Sequence, residues 1–205
     1  MGTTGDEPEQ TRAGAHVSEQ WAAWRATIDL AEYEARFTHD TAHGEADCLA
    51  SLHPRSVLDA GCGTGRVAIE LHGRGIDVMG ADLDDDLLQY ARRKAPGVRW
   101  VHADLVTMRL GRTFHVVAMP GNVMLFCRPS DRPAVVASCA AHLEPDGLLV
   151  AGFSLRGVAG ELTLEEYDAA ATAAGLRLVQ RWATWERTPY AGGDYAVSVH
   201  ARPRG

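Results

Sequence analysis

Lysine is almost missing: of twenty basic residues only Lys94 is one, and no GxxxxGK[ST] stretch occurs, so a phosphate-binding loop of that type is excluded. Positive charge is not in excess either, since 20 basic against 27 acidic residues leave a net charge of −7. Nothing here gathers the charge needed to hold nucleic acid or an acidic membrane surface. Cysteine is scarce, with four residues at 48, 62, 127 and 139 and no CxxC pair. That excludes a disulfide scaffold and the common zinc and thiol-exchange motifs, leaving the four as small core residues in a reducing compartment. No apolar run nears the roughly 18 residues of a membrane helix, and no basic-then-apolar leader opens the sequence, so a cytoplasmic location is expected. No compact ligand cluster suggests a metal.

What is present fits one globular domain: 205 residues, 46% hydrophobic and 23% charged. Residues 1–17 are polar and read as a disordered tail. Residues 18–205 form the expected single domain, divided into a helical lid segment (18–54) and a core (55–205). In the lid segment Trp21, Trp24, Ile28, Ala31 and Ala35 recur at the spacing of one helix face from Ser18 to about His39, and a shorter helix follows around Glu45 to Leu52.

From residue 55 short apolar runs alternate with helical stretches, the pattern of a parallel sheet covered on both faces. Strands are expected at 56–60, 76–81, 98–103, 114–119 and 147–153, with helices at about 66–72, 84–94 and 131–143. Thr163 and Glu166 form a capping box for a further helix that Gly175 ends. The last two apolar runs, 176–185 and 195–201, have no helix between them and must pair antiparallel. The expected fold is therefore α/β: a Rossmann-like, doubly wound, mostly parallel seven-stranded sheet with an antiparallel C-terminal hairpin and N-terminal lid helices.

Ligands of such sheets bind beyond the carboxyl ends of the strands. Here strand one runs into Asp59-Ala60-Gly61-Cys62-Gly63-Thr64-Gly65-Arg66, strand two ends at Asp82 and strand three at Asp104. Glycines let backbone approach a ligand, but the dinucleotide pattern GxGxxG would need glycine where Arg66 stands. Asp59 before the loop suits a cationic ligand better than a pyrophosphate. S-adenosylmethionine has matching parts: an ammonium and a sulfonium, a ribose diol for Asp82, and an adenine amino group for Asp104 beside the backbone N–H of Leu105.

The stretches VLDAGCGTGRVAIEL, ADLDDDLLQYAR, WVHADL and HLEPDGLLVAGF resemble the class I S-adenosylmethionine-dependent methyltransferases over about residues 55–201. The resemblance implies that the glycine loop (Gly61, Gly63, Gly65) holds the methionine part, Asp82 the ribose and Asp104 the adenine. Cys62, Thr64, Leu83 and Met119 lie next to these positions and complete the expected cofactor contacts. The implied reaction is methyl transfer to a small-molecule acceptor, at nitrogen or oxygen first, leaving S-adenosylhomocysteine.

Two departures stand out. His115 replaces the acid that family members usually carry near the start of the fourth strand, and the strand ends in Met119-Pro120-Gly121-Asn122 rather than an NPPY-like phrase. Asn122 has two readings, orienting a substrate or making a turn after Gly121. Tyr33 and Arg36 of the lid and Tyr190 of the closing hairpin loop are the other candidate substrate contacts. No catalytic base is evident, which positioning chemistry tolerates. Two other classes share parts of the pattern: a nicotinamide-dependent oxidoreductase, and a protein that binds S-adenosylmethionine without turnover. Oligomeric state has no signature.

Overall fold

A computed structural model describes residues 16–35, 44–156 and 162–204. The chain opens with α1 (Glu19–Thr27), α2 (Leu30–Ala35) and α3 (Gly44–Ala50). It then alternates β1 (Ser56–Ala60), α4 (Arg66–Gly73), β2 (Asp77–Asp82), α5 (Asp85–Lys94), β3 (Arg99–His102) and β4 (Phe114–Met119). A one-turn helix α6 (Val123–Phe126) and a 3-10 turn (Pro129–Asp131) lead into α7 (Arg132–Ala141). β5 (Leu143–Ser154), α8 (Leu164–Ala173), β6 (Arg177–Trp182) and β7 (Tyr195–Ala201) complete the described fold.

The strands form one seven-stranded sheet in the order β3-β2-β1-β4-β5-β7-β6. β1 to β5 run parallel, and β7 pairs antiparallel with both β5 and β6. Strand order reverses at β1, whose neighbours are β2 and β4, so the loop after β1 opens at the switch point. Alternation along each strand feeds two cores. Leu58, Met79, Val117 and Phe153 pack with Val135, Val136 and Tyr167 on the α7 and α8 face. Val57, Val78, Val116 and Val199 pack with Leu49, Val67 and Leu71 on the other.

Local chemistry sets the element ends. Asp84 caps α5 by accepting from the N–H groups of Asp86 and Leu87, while Arg92, Arg93 and Lys94 occupy its last turn, where cations face the helix dipole favourably. The Thr163 and Glu166 capping box is formed at α8.

The single helix expected over 18–39 is instead broken after Thr27. Asp29 turns its carboxylate back to accept from the N–H groups of Ala31 and Glu32, capping a new helix. His16 and Val17, assigned by composition to the tail, are tied to the body of the protein: Val17 forms a bridge with Cys127. β5 begins at Leu143, four residues before the expected start. The short α6 was not expected. Among the described residues no helix is long and apolar enough to cross a membrane.

Candidate active site

β1, β2 and β4 end at nearly one level, Asp59 lying between Gly80 and Ala118 in the sheet. Their carboxyl ends floor a cavity of about 360 Å³. The loop after β1 is bound to β2, because Gly61 and Cys62 both donate to the Ala81 carbonyl, at 2.8 and 3.0 Å. It closes on itself through Gly65 N–H to the Cys62 carbonyl at 2.9 Å, which delivers the chain into α4.

The three strand-end acids reach the cavity wall and are nearly buried. Asp82 organises its surroundings: Oδ2 accepts from Gly63 N–H at 2.7 Å and Oδ1 from Asp84 N–H at 2.9 Å. Burial pushes its carboxyl up to about 6, against the pull of those backbone donors. Asp59 is 1% exposed. Its Oδ2 accepts from Ala68 N–H at 3.1 Å, and its Oδ1, also buried, has no hydrogen-bond partner. Burial raises this carboxyl to about 7, with the Ala68 N–H and the Arg66 charge opposing. Asp104 Oδ1 accepts from Val106 N–H at 2.9 Å.

Helices α1 and α2 roof the cavity. Trp21 and Trp24 stack at 4.9 Å between ring centroids, Phe126 of α6 lies 5.4 and 5.3 Å from them, and Tyr33 meets Trp24 edge-on at 5.6 Å. The roof is fastened at both ends. At one, Ser18 Oγ donates to the Phe126 carbonyl, Arg128 Nε donates to the Val17 carbonyl at 3.0 Å, and His16 Nδ1 lies 3.2 Å from Asp131 Oδ2. At the other, Arg25 bonds Asp84 at 2.7 Å and Asp86 at 3.1 Å.

Of the expected cofactor residues, Asp59, Gly61, Cys62, Gly63, Thr64, Asp82, Leu83, Asp104 and Leu105 line this cavity, as does Tyr33 of the substrate candidates. Gly65 and Met119 do not. A Cβ on Gly65 would point at Trp100 and Ala91, so this glycine serves helix-on-sheet packing. Met119 is wholly buried beneath the floor, its sulfur 3.9 Å from Cys139 Sγ. Asn122 takes its turn reading: φ is 64° and Oδ1 accepts from Ser154 N–H at 2.8 Å, locking the end of β4 to β5. Tyr190 sits outside the cavity at the base of the closing hairpin, its N–H on the Arg181 carbonyl at 3.3 Å. Arg36 lies outside the described residues. Among those residues no group of three His, Cys, Asp or Glu side chains could hold a metal ion.

The sequence reading did not place Arg66, His16 or Asp131 in the site, yet all three line the cavity. Arg66 had a signal, since it stands where a dinucleotide loop would have glycine. The pairing of His16 with Asp131 spans 115 positions and follows no local pattern.

Comparison with known proteins agrees with this architecture. A family described as a methyltransferase domain matches residues 57–147. The dTDP-3-amino-3,4,6-trideoxy-alpha-D-glucopyranose N,N-dimethyltransferase of Streptomyces venezuelae is 37% identical over 108 residues, covering 51% of this chain and 46% of that protein. The chain thus spans a little under half the length of the first curated relatives it matches. A trans-aconitate 2-methyltransferase of Methylobacterium nodulans is 30% identical over 189 residues, covering 78% of this chain and 72% of the relative. The crystal structure of a TehB-like SAM-dependent methyltransferase from Corynebacterium glutamicum superposes with a TM-score of 0.74 at 32% identity, covering 90% of this chain and 97% of that one. With the glycine loop at the switch point and an acid at each of three strand ends, the chain belongs to the class I S-adenosylmethionine-dependent methyltransferases.

Proposed function

We propose that this protein transfers the methyl group of S-adenosylmethionine to a nitrogen or oxygen of a small-molecule acceptor, and that it works in the cytoplasm. One observation carries the cofactor reading: Asp59, Asp82 and Asp104 line one cavity, and the Oδ1 of Asp59 is buried there with no hydrogen-bond partner. A buried polar atom without a partner costs free energy unless a ligand meets it. An ammonium supplies that partner, Asp82 offers acceptor lone pairs to a ribose diol, and Asp104 faces an adenine amino group. When bound, the cofactor supplies a methyl already activated on sulfonium sulfur. The residues therefore work mainly by alignment and by excluding water. Support for a small acceptor comes from the relatives named for an amino sugar and for trans-aconitate, and from the aromatic roof that closes the cavity. Four unpaired cysteines support a reducing compartment.

His16 is the sole imidazole among the described residues that line the cavity. Asp131 engages its Nδ1, leaving Nε2 as the nitrogen that takes the acceptor's proton. Asp131 stands at the N-cap position of α7 but makes no side-chain cap bond there. Its Oδ2 is turned to His16 instead. His16→Ala is expected to lower kcat by about 10²-fold with cofactor affinity unchanged. An unchanged kcat, once an acceptor is known, assigns the pair to fastening the roof alone.

The binding step also has a pH signature. Burial raises both acids above the ordinary carboxylate range, to about 7 for Asp59 and about 6 for Asp82. Their contribution to the stability of the ligand-free fold is therefore present at acid pH and is lost as pH rises through 6 to 7. A cationic ligand prefers the ionised acids, so cofactor affinity rises across that window. Isothermal titration near pH 6.5 in buffers of different ionisation enthalpy should show net proton release; net proton uptake at that pH would contradict the assignment.

A further inference from the structure

The charges on the cavity wall can be matched group by group. In the cofactor reading Asp59, Asp82 and Asp104 meet the ammonium, the ribose diol and the adenine amino group. Asp131 has His16 at 3.2 Å. Arg66 is neutralised by Glu45, its Nη1 and Nη2 donating to Oε2 and Oε1 at 2.9 and 2.6 Å. Arg128, on the same wall, is the exception. Its Nε donates to the Val17 carbonyl at 3.0 Å, a neutral partner, and among the described residues no carboxylate pairs with its guanidinium.

A cation that borders a cavity without a counter-charge attracts an anion to it, and apolar walls strengthen the attraction. The bond from Nε to Val17 fixes the direction of the guanidinium. Nη1 and Nη2, whose spacing matches two oxygens of a carboxylate or phosphate, make no hydrogen bond to the described residues. The place is also the right one for an acceptor. Val17 follows His16, the imidazole proposed to take the acceptor's proton, and forms a bridge with Cys127 beside Arg128. Phe126, with Trp21 edge-on at 5.4 Å, gives the wall an apolar flank.

We propose that Arg128 anchors an oxyanion carried by the methyl acceptor, so that the substrates are small organic acids or phosphate esters that present their nitrogen or oxygen nucleophile toward His16. A simple amine would meet the arginine charge unopposed. This inference rests on the methyl-transfer reading above and specifies its acceptor, and its test separates the two.

The probes are glutarate, inorganic pyrophosphate and the neutral glutaramide, titrated calorimetrically at low salt into protein saturated with S-adenosylhomocysteine. Wild type should bind at least one of the two oxyanions saturably, and about tenfold or more tighter than glutaramide. Binding of glutarate alone assigns carboxylic acids as acceptors, and binding of pyrophosphate alone assigns phosphate esters. Arg128→Gln should weaken the preferred oxyanion by about tenfold or more and leave S-adenosylhomocysteine within about threefold of wild type. Ser18→Ala removes a neighbouring bond, from Ser18 Oγ to the Phe126 carbonyl, without changing charge; oxyanion affinity should stay within about threefold. No saturable binding of either oxyanion, or equal affinity for glutaramide, overturns the proposal, and that comparison needs no variant to fold. Oxyanion binding that survives in Arg128→Gln, or that falls as far in Ser18→Ala, also overturns it, as does an equal loss of S-adenosylhomocysteine affinity in Arg128→Gln. Failure of wild type to bind S-adenosylhomocysteine overturns the cofactor reading instead, and the same titrations into ligand-free protein then decide whether Arg128 holds an oxyanion.

Discussion

Asp82→Ala is expected to weaken binding of S-adenosylhomocysteine by about a hundredfold or more, close to 3 kcal/mol. The carboxylate holds the Gly63 N–H at 2.7 Å and the Asp84 N–H at 2.9 Å. Its loss deletes the proposed acceptor for the ribose diol, and hydrogen bonds to a charged group are worth about 1.5–3 kcal/mol each. The effect on folding should be much smaller. Burial already disfavours the ionised form of this acid, so its removal relieves a desolvation cost that partly offsets the lost bonds. Calorimetry beside urea unfolding measures both. Equal losses in binding and stability would mean that Asp82 is a structural tether and not a ligand residue.

Gly65→Ala should do the reverse, costing stability directly. Gly65 adopts φ +83°, and a Cβ there would lie 2.4 Å from one ring atom of Trp100 and 3.1 Å from the Ala91 Cβ. Trp100 cannot retreat: its Nε1 donates to the Ala95 carbonyl at 2.9 Å, and the same ring already covers Gly80. Left-handed strain of about 1–2 kcal/mol and overpacking of about 1–3 kcal/mol add to about 3 kcal/mol. For a domain of this size that is a fall in Tm of roughly 10 °C. Gly63→Ala is the control, since φ is +55° but nothing lies within 4 Å of the added carbon. It should cost only the strain, about 1 kcal/mol, and show its larger effect in cofactor affinity, because its backbone borders the cavity. Matching losses of stability for the two variants would contradict this division of labour.

How much of this was legible in the sequence depends on the range of the force involved. Strands β1, β4 and β7 begin and end where the sequence places them, because each is a buried run bounded by residues that favour turns. The antiparallel closure followed from chain length alone. Position at a strand end also revealed the acids of the cavity. Met119 shows the limit of that argument. It is at the end of β4, but its side chain falls on the core face of the sheet with Val117, and a shift of one residue reverses the facing. β5 starts early because Glu144 to Asp146 continue the strand with side chains at least partly open to solvent, where no apolar signal marks them. The contacts that fasten the roof and orient Arg66 join distant segments: Arg25 with Asp84, His16 with Asp131, Glu45 with Arg66. Each residue alone reads as an ordinary surface charge, and only the fold supplies the partner.

The central claim is that this cavity takes S-adenosylmethionine rather than a nicotinamide dinucleotide. Calorimetric titration of the wild-type protein with S-adenosylmethionine, S-adenosylhomocysteine, NADH and NADPH under one buffer condition tests it most directly. Saturable one-to-one binding of the first two, with no heat from the nicotinamides, is the predicted result. Binding of NADH or NADPH alone would contradict it and return the glycine loop to dinucleotide chemistry.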